Sequence, residues 1–193
     1  MRYLPILFLM LLSFGCSKEA VNPKNGQIVE LFVDHYEETG NQRIYLLPKN
    51  EKITTYLEGF SERELGYTYK VSAKAYYPKE PPQDGPDNWF IFEKVLSKTL
   101  SNNAELFTIS LKYNSLFGSN IAFAYRNQVF EYGNYVLRPE NDAVKKQLED
   151  LLLLIPKFQT DYQYAANVII NATVIHDPSN RAKGYLVKSV TVK

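Results

Sequence analysis

A period-two alternation between residues 67 and 77 is the feature that most constrains the fold of this chain. Apolar or aromatic side chains occupy every second position from Tyr67 to Tyr77, and mostly polar side chains lie between them. Successive side chains of a β-strand point to opposite faces, so the segment predicts a strand with one buried and one solvated face. The proline-rich loop Pro78–Asp87 interrupts pairing, and Trp89–Lys98 follows as a second strand. The sequence therefore predicts a β-hairpin with a long loop.

A second hairpin is predicted near the C-terminus. Residues Tyr162–Val174 alternate in the same way, Asp177–Asn180 start a turn, and Gly184–Val187 open a return strand. At a constant offset of 95 residues, the matching pairs are Tyr67 with Tyr162, Tyr69 with Tyr164, Phe90 with Tyr185, Ile91 with Leu186 and Val95 with Val190. A first strand matches at an offset of 75, with Glu30-Leu31-Phe32 against Glu105-Leu106-Phe107. Two interpretations stay open: a tandem duplication, or the similarity that any two alternating hairpins share.

One helix is predicted in the second half. Asn141 and Asp142 provide a cap, and apolar residues at helical spacing predict a helix over residues 141–155, with Pro156 just past its end. The strands predicted before this helix are Leu106–Tyr113, Ile121–Arg126 and Val129–Leu137. With the C-terminal hairpin, the order is β-β-β-α-β-β, which is the order of an OB-type barrel.

These elements predict a mainly β fold, a β-rich α+β class with two small OB-like barrel or sheet modules. The first module spans residues 28–100, where Glu51–Leu57 is interpreted as a short helix, and the second spans residues 101–193. One longer sheet wrapped around the helix is the alternative. Six side chains are predicted to be nearly inaccessible: Tyr69, Val71, Leu148, Leu152, Val168 and Ile170.

The N-terminus has the pattern of a bacterial lipoprotein signal peptide. Arg2 precedes an apolar run, which is too short to span a bilayer, and Ser13-Phe14-Gly15 leads directly into Cys16, the only cysteine of the chain. Cleavage after residue 15 leaves Cys16 free to be acylated, and two or three acyl chains anchor a protein stably. An ordinary secretory signal with an incidental cysteine is the alternative. Residues 16–27 are interpreted as a flexible tether.

Charge and cysteine content limit the partners of this chain. Removal of residues 1–15 takes Arg2 from the 22 Lys and Arg and leaves the 21 Asp and Glu unchanged, so the formal charge falls from +1 to zero. A balanced surface argues against a nucleic-acid partner, which needs a basic patch. The expected partners are the membrane, through acyl chains on Cys16, and an envelope glycan, peptide or protein. Because Ser17 is not an aspartate, the outer membrane is the favoured location.

Several separated motifs between residues 28 and 99 resemble one known family. These motifs are Tyr56-Leu57-Glu58-Gly59-Phe60, Glu64-Leu65-Gly66-Tyr67-Thr68-Tyr69-Lys70-Val71, Pro81-Pro82-Gln83-Asp84-Gly85 and Val95-Leu96-Ser97-Lys98. Together they resemble the domain of unknown function 4377, which occurs in bacterial lipoproteins, sometimes beside a META-type heat-shock domain. The resemblance implies no catalytic residue. Family members often carry a cysteine pair near the first hairpin, which this chain lacks. Gly59 and Gly66 are expected to bend the backbone.

Catalytic motifs are weak in this sequence. His35 lies among carboxylates at positions 34, 37 and 38, and His176 precedes Asp177, so either histidine provides an acid/base or metal hypothesis. Asp34 and His35 are adjacent on a predicted strand and are expected to point to opposite faces. No serine-hydrolase, zinc-protease or phosphate-loop motif is present. We expect no catalytic residue, no metal ligand and no cofactor, with a hydrolase as the minor alternative.

Aromatic residues at strand ends favour binding over catalysis. The candidate ligand-binding residues are Tyr76, Tyr77, Pro82, Asp84 and Trp89, with further rings at Tyr125, Tyr132 and Tyr135. Prolines stiffen the loop before Trp89, which reduces the entropy lost on binding. The sequence thus predicts a lipid-anchored, non-catalytic envelope module that binds a glycan or peptide. The alternative is a structural or stress-related envelope lipoprotein that binds a protein partner.

Overall fold

The computed structural model describes residues 23–38, 41–102, 104–115 and 118–193. The predicted signal peptide, Cys16 and tether residues 17–22 therefore lie outside the described residues. Within the described part, no helix combines the length and apolar character needed to cross a bilayer.

The first module forms a six-stranded sheet. Its strands are β1 (Ile28–Glu38), β2 (Asn41–Leu46), β3 (Glu51–Ile53), β4 (Leu57–Glu58), β5 (Tyr67–Tyr76) and β6 (Trp89–Leu100). They lie in the order β3-β2-β1-β5-β6-β4, and only β4 and β6 run parallel. The predicted alternation in β5 is confirmed, because Tyr69, Val71, Ala73 and Ala75 are buried while Lys70 and Lys74 are exposed.

The helix predicted over Glu51–Leu57 is wrong. Residues Glu51–Ile53 form a strand that pairs with β2, and Leu57–Glu58 pair with β6. β-branched side chains at positions 53, 54 and 55 explain the difference, since they lose side-chain freedom in a helix and fit an extended chain. The predicted bends are confirmed, as Gly59 and Gly66 have φ of +82° and +83°.

The second module also forms a six-stranded sheet, with a two-stranded extension. Its elements are β7 (Phe107–Ser110), β8 (Lys112–Ser115), β9 (Gly118–Ile121), β10 (Phe123–Arg126), β11 (Val129–Tyr132), β12 (Tyr135–Pro139), α1 (Asp142–Thr160), α2 (Tyr162–Asn167), β13 (Ile170–His176) and β14 (Gly184–Val192). The main sheet has the order β10-β11-β12-β14-β13-β7, and β8 pairs with β9. The chain is therefore mainly β with one long helix, as predicted.

Helix α1 begins as the sequence predicts and ends later. The Asn141 side chain accepts a hydrogen bond from the Val144 N–H at 3.0 Å, which caps the first turn. The predicted end before Pro156 is wrong, because the helix continues to Thr160 with Pro156 inside it. Proline removes its own hydrogen bond, and the buried ring of Phe158 packs the following turn into the core.

The strand predicted over Tyr162–Val174 is wrong in its first half. Residues Tyr162–Asn167 form α2, whose cap is the Asp161 side chain accepting from the Tyr164 N–H at 2.9 Å. Ala165 lies on the buried side of α2, whereas Tyr162 is exposed. The alternation over residues 162–168 was coincidental, since a capping aspartate and two alanines favour a helix. The strand itself begins at Ile170, and Ile170, Ala172 and Val174 are buried as predicted.

The two sheets share one connectivity. In each module the first strand pairs antiparallel with the first strand of the C-terminal hairpin, as β1 does with β5 and β7 with β13. In each, the last strand pairs parallel with an internal strand, as β6 does with β4 and β14 with β12. This shared pairing, with the last strand parallel to an earlier strand of the same sheet, agrees with the OB-like sheet modules that the element order predicted.

The last strands of the two modules correspond residue by residue. Leu57 faces Phe90 and Leu137 faces Tyr185 in the parallel pairs, while Val71 faces Val95 and Ala172 faces Val190 in the hairpins. Residue 93 is skipped in the first hairpin register and residue 188 in the second, so one irregularity recurs at the offset of 95, while the first hairpin also skips residue 96 without a counterpart. The duplication itself stays a prediction.

The other sequence matches are displaced. Val71 and Ala172 are equivalent, so β5 corresponds to β13 at an offset of 101, not 95, because the second hairpin has the shorter loop. Leu31 faces Val71 and Ile109 faces Ala172, which makes Leu31 equivalent to Ile109 and not to Leu106. Burial agrees, since Leu31 and Ile109 are both inaccessible and Leu106 is exposed.

Each module has its own apolar core. Burial of Tyr69, Val71, Leu148, Val168 and Ile170 is confirmed, whereas the prediction for Leu152 is wrong because that side chain is only half-buried at the edge of α1. The core of the second module also includes Tyr36 and Leu65 from the first module. The Tyr36 ring stacks on Phe107, with 4.4 Å between ring centroids. The modules therefore pack directly against each other.

Candidate functional site

Three aromatic rings form a partly exposed surface on the first module, which we call the aromatic shelf: Tyr56, Tyr76 and Trp89. The Trp89 ring stacks on Tyr56, with 5.6 Å between centroids and an interplanar angle of 15°, and lies 4.7 Å from Tyr76. Tyr56 is 45% exposed, Tyr76 is 36% exposed, and Trp89 is half-buried. Large aromatic rings held open to solvent are a common basis for ligand stacking.

Backbone pairing places the three rings together. Tyr76 ends β5 and faces Trp89 at the start of β6 across the mouth of the loop. The Phe90 N–H donates to the Tyr56 carbonyl at 3.1 Å, which holds Tyr56 beside the base of β6. The indole N–H of Trp89 donates to the Glu58 carboxylate at 2.7 Å and fixes the ring plane. The shelf is therefore ordered by the sheet itself.

The remaining predicted ligand-binding residues lie apart from the rings. Tyr77 turns inward and packs against the first core, because it follows Tyr76 on the opposite face of the strand. Pro82 and Asp84 lie in the exposed turn of the loop, where the Gly85 N–H donates to the Pro82 carbonyl at 3.3 Å. Their role in binding stays a prediction.

A groove of about 600 Å³ adjoins the shelf. Tyr56 and Pro86 form part of its wall, so the proline-rich loop and the shelf contribute to the same concavity. Glu38 and Arg43 line this groove and also a second cleft, of about 650 Å³, at the junction between the modules. OB-type modules commonly bind extended ligands on such a face, between the loops that join strands 1–2 and 4–5.

Glu38, Arg43 and Lys52 line the groove, and their charges are compensated in a network that extends to Asp34 in the junction cleft. Glu38 accepts from Lys52 at 2.7 Å and from Arg43 at 3.3 Å, and Arg43 also donates to Asp34 at 3.1 Å. The hydrogen bond from Lys52 lowers the pKa of the Glu38 carboxyl. Two cations and two carboxylates leave this network without net charge. The groove therefore favours a neutral, polar ligand over a polyanion.

Both histidines lie in the junction and contact each other. His35 Nδ1 and His176 Nε2 are 2.7 Å apart, and the two side chains are buried. His35 Nε2 lies 3.7 Å from the Asp34 carboxylate and 3.9 Å from that of Glu105. Burial alternates through this pair as predicted, with His35 buried and Asp34 half-buried, and the Asp34 carboxylate approaches the ring because it accepts a hydrogen bond from the His35 backbone N–H at 2.8 Å.

The Asp177 carboxylate, which follows His176 in the second acid/base hypothesis, is engaged by other groups. Asp177 accepts two hydrogen bonds from Arg138, both at 2.7 Å, and two from Ser179. These bonds, led by those from Arg138, lower the pKa of Asp177 to about 2. Asp177 is therefore a structural carboxylate that holds the turn after β13.

Burial limits what the histidine pair can do chemically. Desolvation lowers the pKa of His35, and desolvation together with the neighbouring His35 lowers the pKa of His176 to about 3. A general base must reach its substrate, and these rings are 4% and 1% exposed. In the part of the chain that the structure describes, no group of three or more His, Cys, Asp or Glu residues is placed to hold a metal ion. The hydrolase hypothesis and the expected lack of a cofactor stay predictions.

The other predicted aromatic residues belong to the second module. Tyr132 is 1% exposed and Tyr135 is half-buried against Tyr185, so both serve the core. Tyr125 is exposed and packs against Phe130. None of the three lies on the aromatic shelf.

Sequence reasoning missed two parts of this region. Tyr56 belongs to the motif Tyr56-Leu57-Glu58, and its alternation around a buried leucine was the signal that places Tyr56 and Glu58 on one face. The contact between His35 and His176 joins residues 141 positions apart, and no local pattern indicates it.

Comparison with protein-family models, with curated proteins and with solved structures gives no significant match. The resemblance to the domain of unknown function 4377 stays a prediction.

Proposed function

We propose that this protein is a lipid-anchored, non-catalytic module of the bacterial cell envelope that binds a glycan on the aromatic shelf. The observation that carries the proposal is the set of ordered, solvent-facing rings of Tyr56, Tyr76 and Trp89 at the mouth of a groove. The apolar faces of sugar rings stack on such surfaces, while their hydroxyl groups bond to nearby polar side chains.

The surroundings of the shelf support a neutral, hydroxyl-rich ligand. Glu58 is already oriented by the Trp89 indole, and its carboxylate is placed to accept from a ligand hydroxyl beside the stacked ring. The compensated charges of Asp34, Glu38, Arg43 and Lys52 offer donors and acceptors without attracting a polyanion. These features favour a glycan over nucleic acid.

The loop between β5 and β6 supports a pre-organised site. Residues 77–88 include prolines at positions 78, 81, 82 and 86, and Pro86 reaches the groove wall. Fixed proline φ angles lower the entropy that a loop loses when a ligand binds. The loop therefore contributes affinity with little rearrangement.

The proposed anchoring to the membrane depends on Cys16, which lies outside the described residues. Replacing Cys16 with alanine is expected to release the protein from the membrane fraction, because acyl chains are its only proposed anchor. Full membrane retention of the variant contradicts the anchor and leaves the binding proposal to its own test.

The binding proposal is tested by the fluorescence of Trp89, the only tryptophan in the chain. Titration with peptidoglycan fragments and with envelope polysaccharides is expected to change the emission, because a stacked sugar alters the solvation of the indole. Calorimetry on Tyr56→Ala and Tyr76→Ala is expected to show roughly tenfold weaker binding for each, which is the loss of one aromatic contact.

Tyr125→Ala is the matched control, since Tyr125 is as exposed as Tyr56 and lies on the other module. Its affinity is expected to equal that of the unmodified protein. Binding of envelope peptides or proteins alone, with no glycan binding, supports the alternative of a lipoprotein with a protein partner. Absence of binding to any of these ligands contradicts the proposal.

A further inference from the structure

The histidine pair joins the two modules through one buried hydrogen bond. His35 comes from β1 of the first module and His176 from the end of β13 of the second. Phe107 packs on both rings, at 5.0 and 5.1 Å between centroids. Arg181 crosses the same junction and donates to the carbonyls of Gly66 and Ser101 at 2.9 and 2.7 Å. The pair thus lies among the contacts that hold the modules together.

The hydrogen bond between the two imidazole rings requires one unprotonated ring nitrogen as its acceptor. His176 Nδ1 is buried without a hydrogen-bond partner, so the favoured tautomer leaves it unprotonated and donates from His176 Nε2 to His35 Nδ1. A proton added to His35 Nδ1 places two N–H groups against each other. A proton added to His176 Nδ1 buries an N–H group without an acceptor, which is costly. Only the neutral pair keeps the hydrogen bond between the rings without burying an N–H group that lacks an acceptor.

Arginines oppose a proton on both histidines, whereas carboxylates favour a proton on His35. The charged groups that act on the pair are Asp34 on β1, Arg43 on β2, Arg63 before β5, Glu105 before β7 and Arg181 after β13, and the titratable rings in contact with it are Tyr36 on β1 and Tyr185 on β14. Arg138 is engaged by Asp177, and Arg63 by Glu37 at 2.6 Å. Asp34 and Glu105 are near His35, whereas Arg63 and Arg181 oppose a proton on His176.

We propose that the His35–His176 pair is an acid-sensitive latch: the modules stay joined while both rings are neutral and separate when the pair takes up protons. Separation withdraws Tyr36 and Leu65 from the second core, whereas the other buried residues of each core belong to one module, so the junction cleft opens while both sheets remain folded. The proposal concerns the junction and does not depend on what the aromatic shelf binds.

The direction of the pH effect follows from the lowered pKa values of the two histidines. The pKa of a freely solvated histidine is about 6.5, and burial in the junction lowers that of His176 to about 3. The joined state therefore binds fewer protons, so its advantage is complete above about pH 6.5 and declines as the pH falls toward about 3. Across this window each pH unit shifts the equilibrium toward the separated state about tenfold through His176, and the lowered pKa of His35 acts in the same direction.

The test combines small-angle X-ray scattering with far-UV circular dichroism. On acidification from about pH 7.5 to about pH 4, the radius of gyration is expected to rise reversibly while the circular dichroism stays constant. In His176→Gln, the amide replaces the donor to His35 and does not titrate, so the midpoint is expected to move down by about one pH unit or more. The same midpoint in both proteins assigns the opening to carboxylates such as Asp34 and Glu105 and overturns the proposal.

If His176→Gln does not fold, a second measurement on the unmodified protein tests the proposal. The chain has only two histidines, so ring-proton NMR of the unmodified protein follows both directly. Both rings are expected to titrate well below about pH 6.5, together with the change in scattering. Ordinary titration near about pH 6.5, or titration without any change in the radius of gyration, contradicts the latch.

Discussion

The two modules share a sheet connectivity and differ at the mouth of the C-terminal hairpin. Strand correspondence makes Tyr56, Glu58, Tyr76 and Trp89 in the first module equivalent to Val136, Arg138, Asp177 and Gly184 in the second. The first module has stacked rings and a carboxylate that holds an indole. The second has a bidentate ion pair that closes the turn. The same backbone thus presents a surface for a ligand in one module and a closed structural contact in the other.

The segments that connect the strands also differ between the two modules. The first module joins β4 to β5 by the bend between Gly59 and Gly66 and carries the twelve-residue loop 77–88, whereas the second inserts α1 and α2 and closes its hairpin with the short turn 177–183. The helix covers the second core. Long loops over a rigid sheet are where binding residues concentrate, so the difference in loops agrees with the difference in exposed rings.

The largest effect is expected from the helix that only the second module has. Leu148 lies fully buried on the inner face of α1. Leu148→Ala is therefore expected to lower the free energy of unfolding by about 2–5 kcal/mol, because apolar burial is lost and a cavity is left. Leu153→Ala on the same helix is the control, because that side chain is 76% exposed. Denaturant unfolding measures both. A similar small loss for both variants shows that α1 does not stabilise the second core.

The next effect separates the two hairpin mouths. Asp177→Asn removes a buried carboxylate from Arg138 and Ser179 and is expected to lower the free energy of unfolding by about 1.5–3 kcal/mol. Glu58→Gln, at the position equivalent to Arg138, is expected to leave stability nearly unchanged because Glu58 is exposed, and to weaken the binding of a glycan. Equal losses of stability contradict the distinction between a structural and a ligand-binding mouth.

The lowered pKa of Asp177 also predicts that the free energy of unfolding depends on pH. Its pKa is lowered to about 2, so the stabilisation from the ionised carboxylate is complete above its ordinary value of 3.8 and is lost as the pH falls to about 2. The difference in unfolding free energy between the unmodified protein and Asp177→Asn is expected to shrink across that window. A difference that stays constant there means that the charge of Asp177 does not contribute.

The smallest effect compares two glycines with the same backbone conformation. Gly59 and Gly66 have nearly equal positive φ, so alanine at either position costs about 1–2 kcal/mol. A Cβ at Gly59 meets open space, whereas at Gly66 it lies 2.7 Å from Arg181 Nε and displaces a side chain bonded across the junction. Gly66→Ala is therefore expected to cost about 1 kcal/mol more than Gly59→Ala. Equal thermal stability of the two variants shows that Arg181 adds nothing at the junction.

Local patterns predicted the fold wherever burial and period agreed. The alternation of Tyr67–Tyr77 and the capped apolar stripe after Asn141 each had one structural solution, and both elements formed. Residues 162–168 show how such patterns mislead, since a short alternation competes with a capping aspartate and alanines, and the helix formed.

The candidate site was only partly visible in the sequence. Tyr76 and Trp89 were identified because they flank an obvious loop, while Tyr56 joins them through a parallel pairing that sequence order does not indicate. Tyr77 flanks the same loop and is predicted to bind the ligand, but strand alternation turns it toward the core. The histidine pair depends on the packing of two modules and has no local signal.

The central claim, that ligand binding belongs to the first module alone, is tested most directly by mapping amide chemical shifts during titration with peptidoglycan fragments and envelope polysaccharides. Shifts are expected at Tyr56, Glu58, Tyr76 and Trp89 and along the groove that Tyr56 and Pro86 border. The equivalent positions in the second module, Val136, Arg138, Asp177 and Gly184, are expected to remain unchanged. Shifts at those four positions, or a saturating ligand that leaves Trp89 unaffected, contradict the claim.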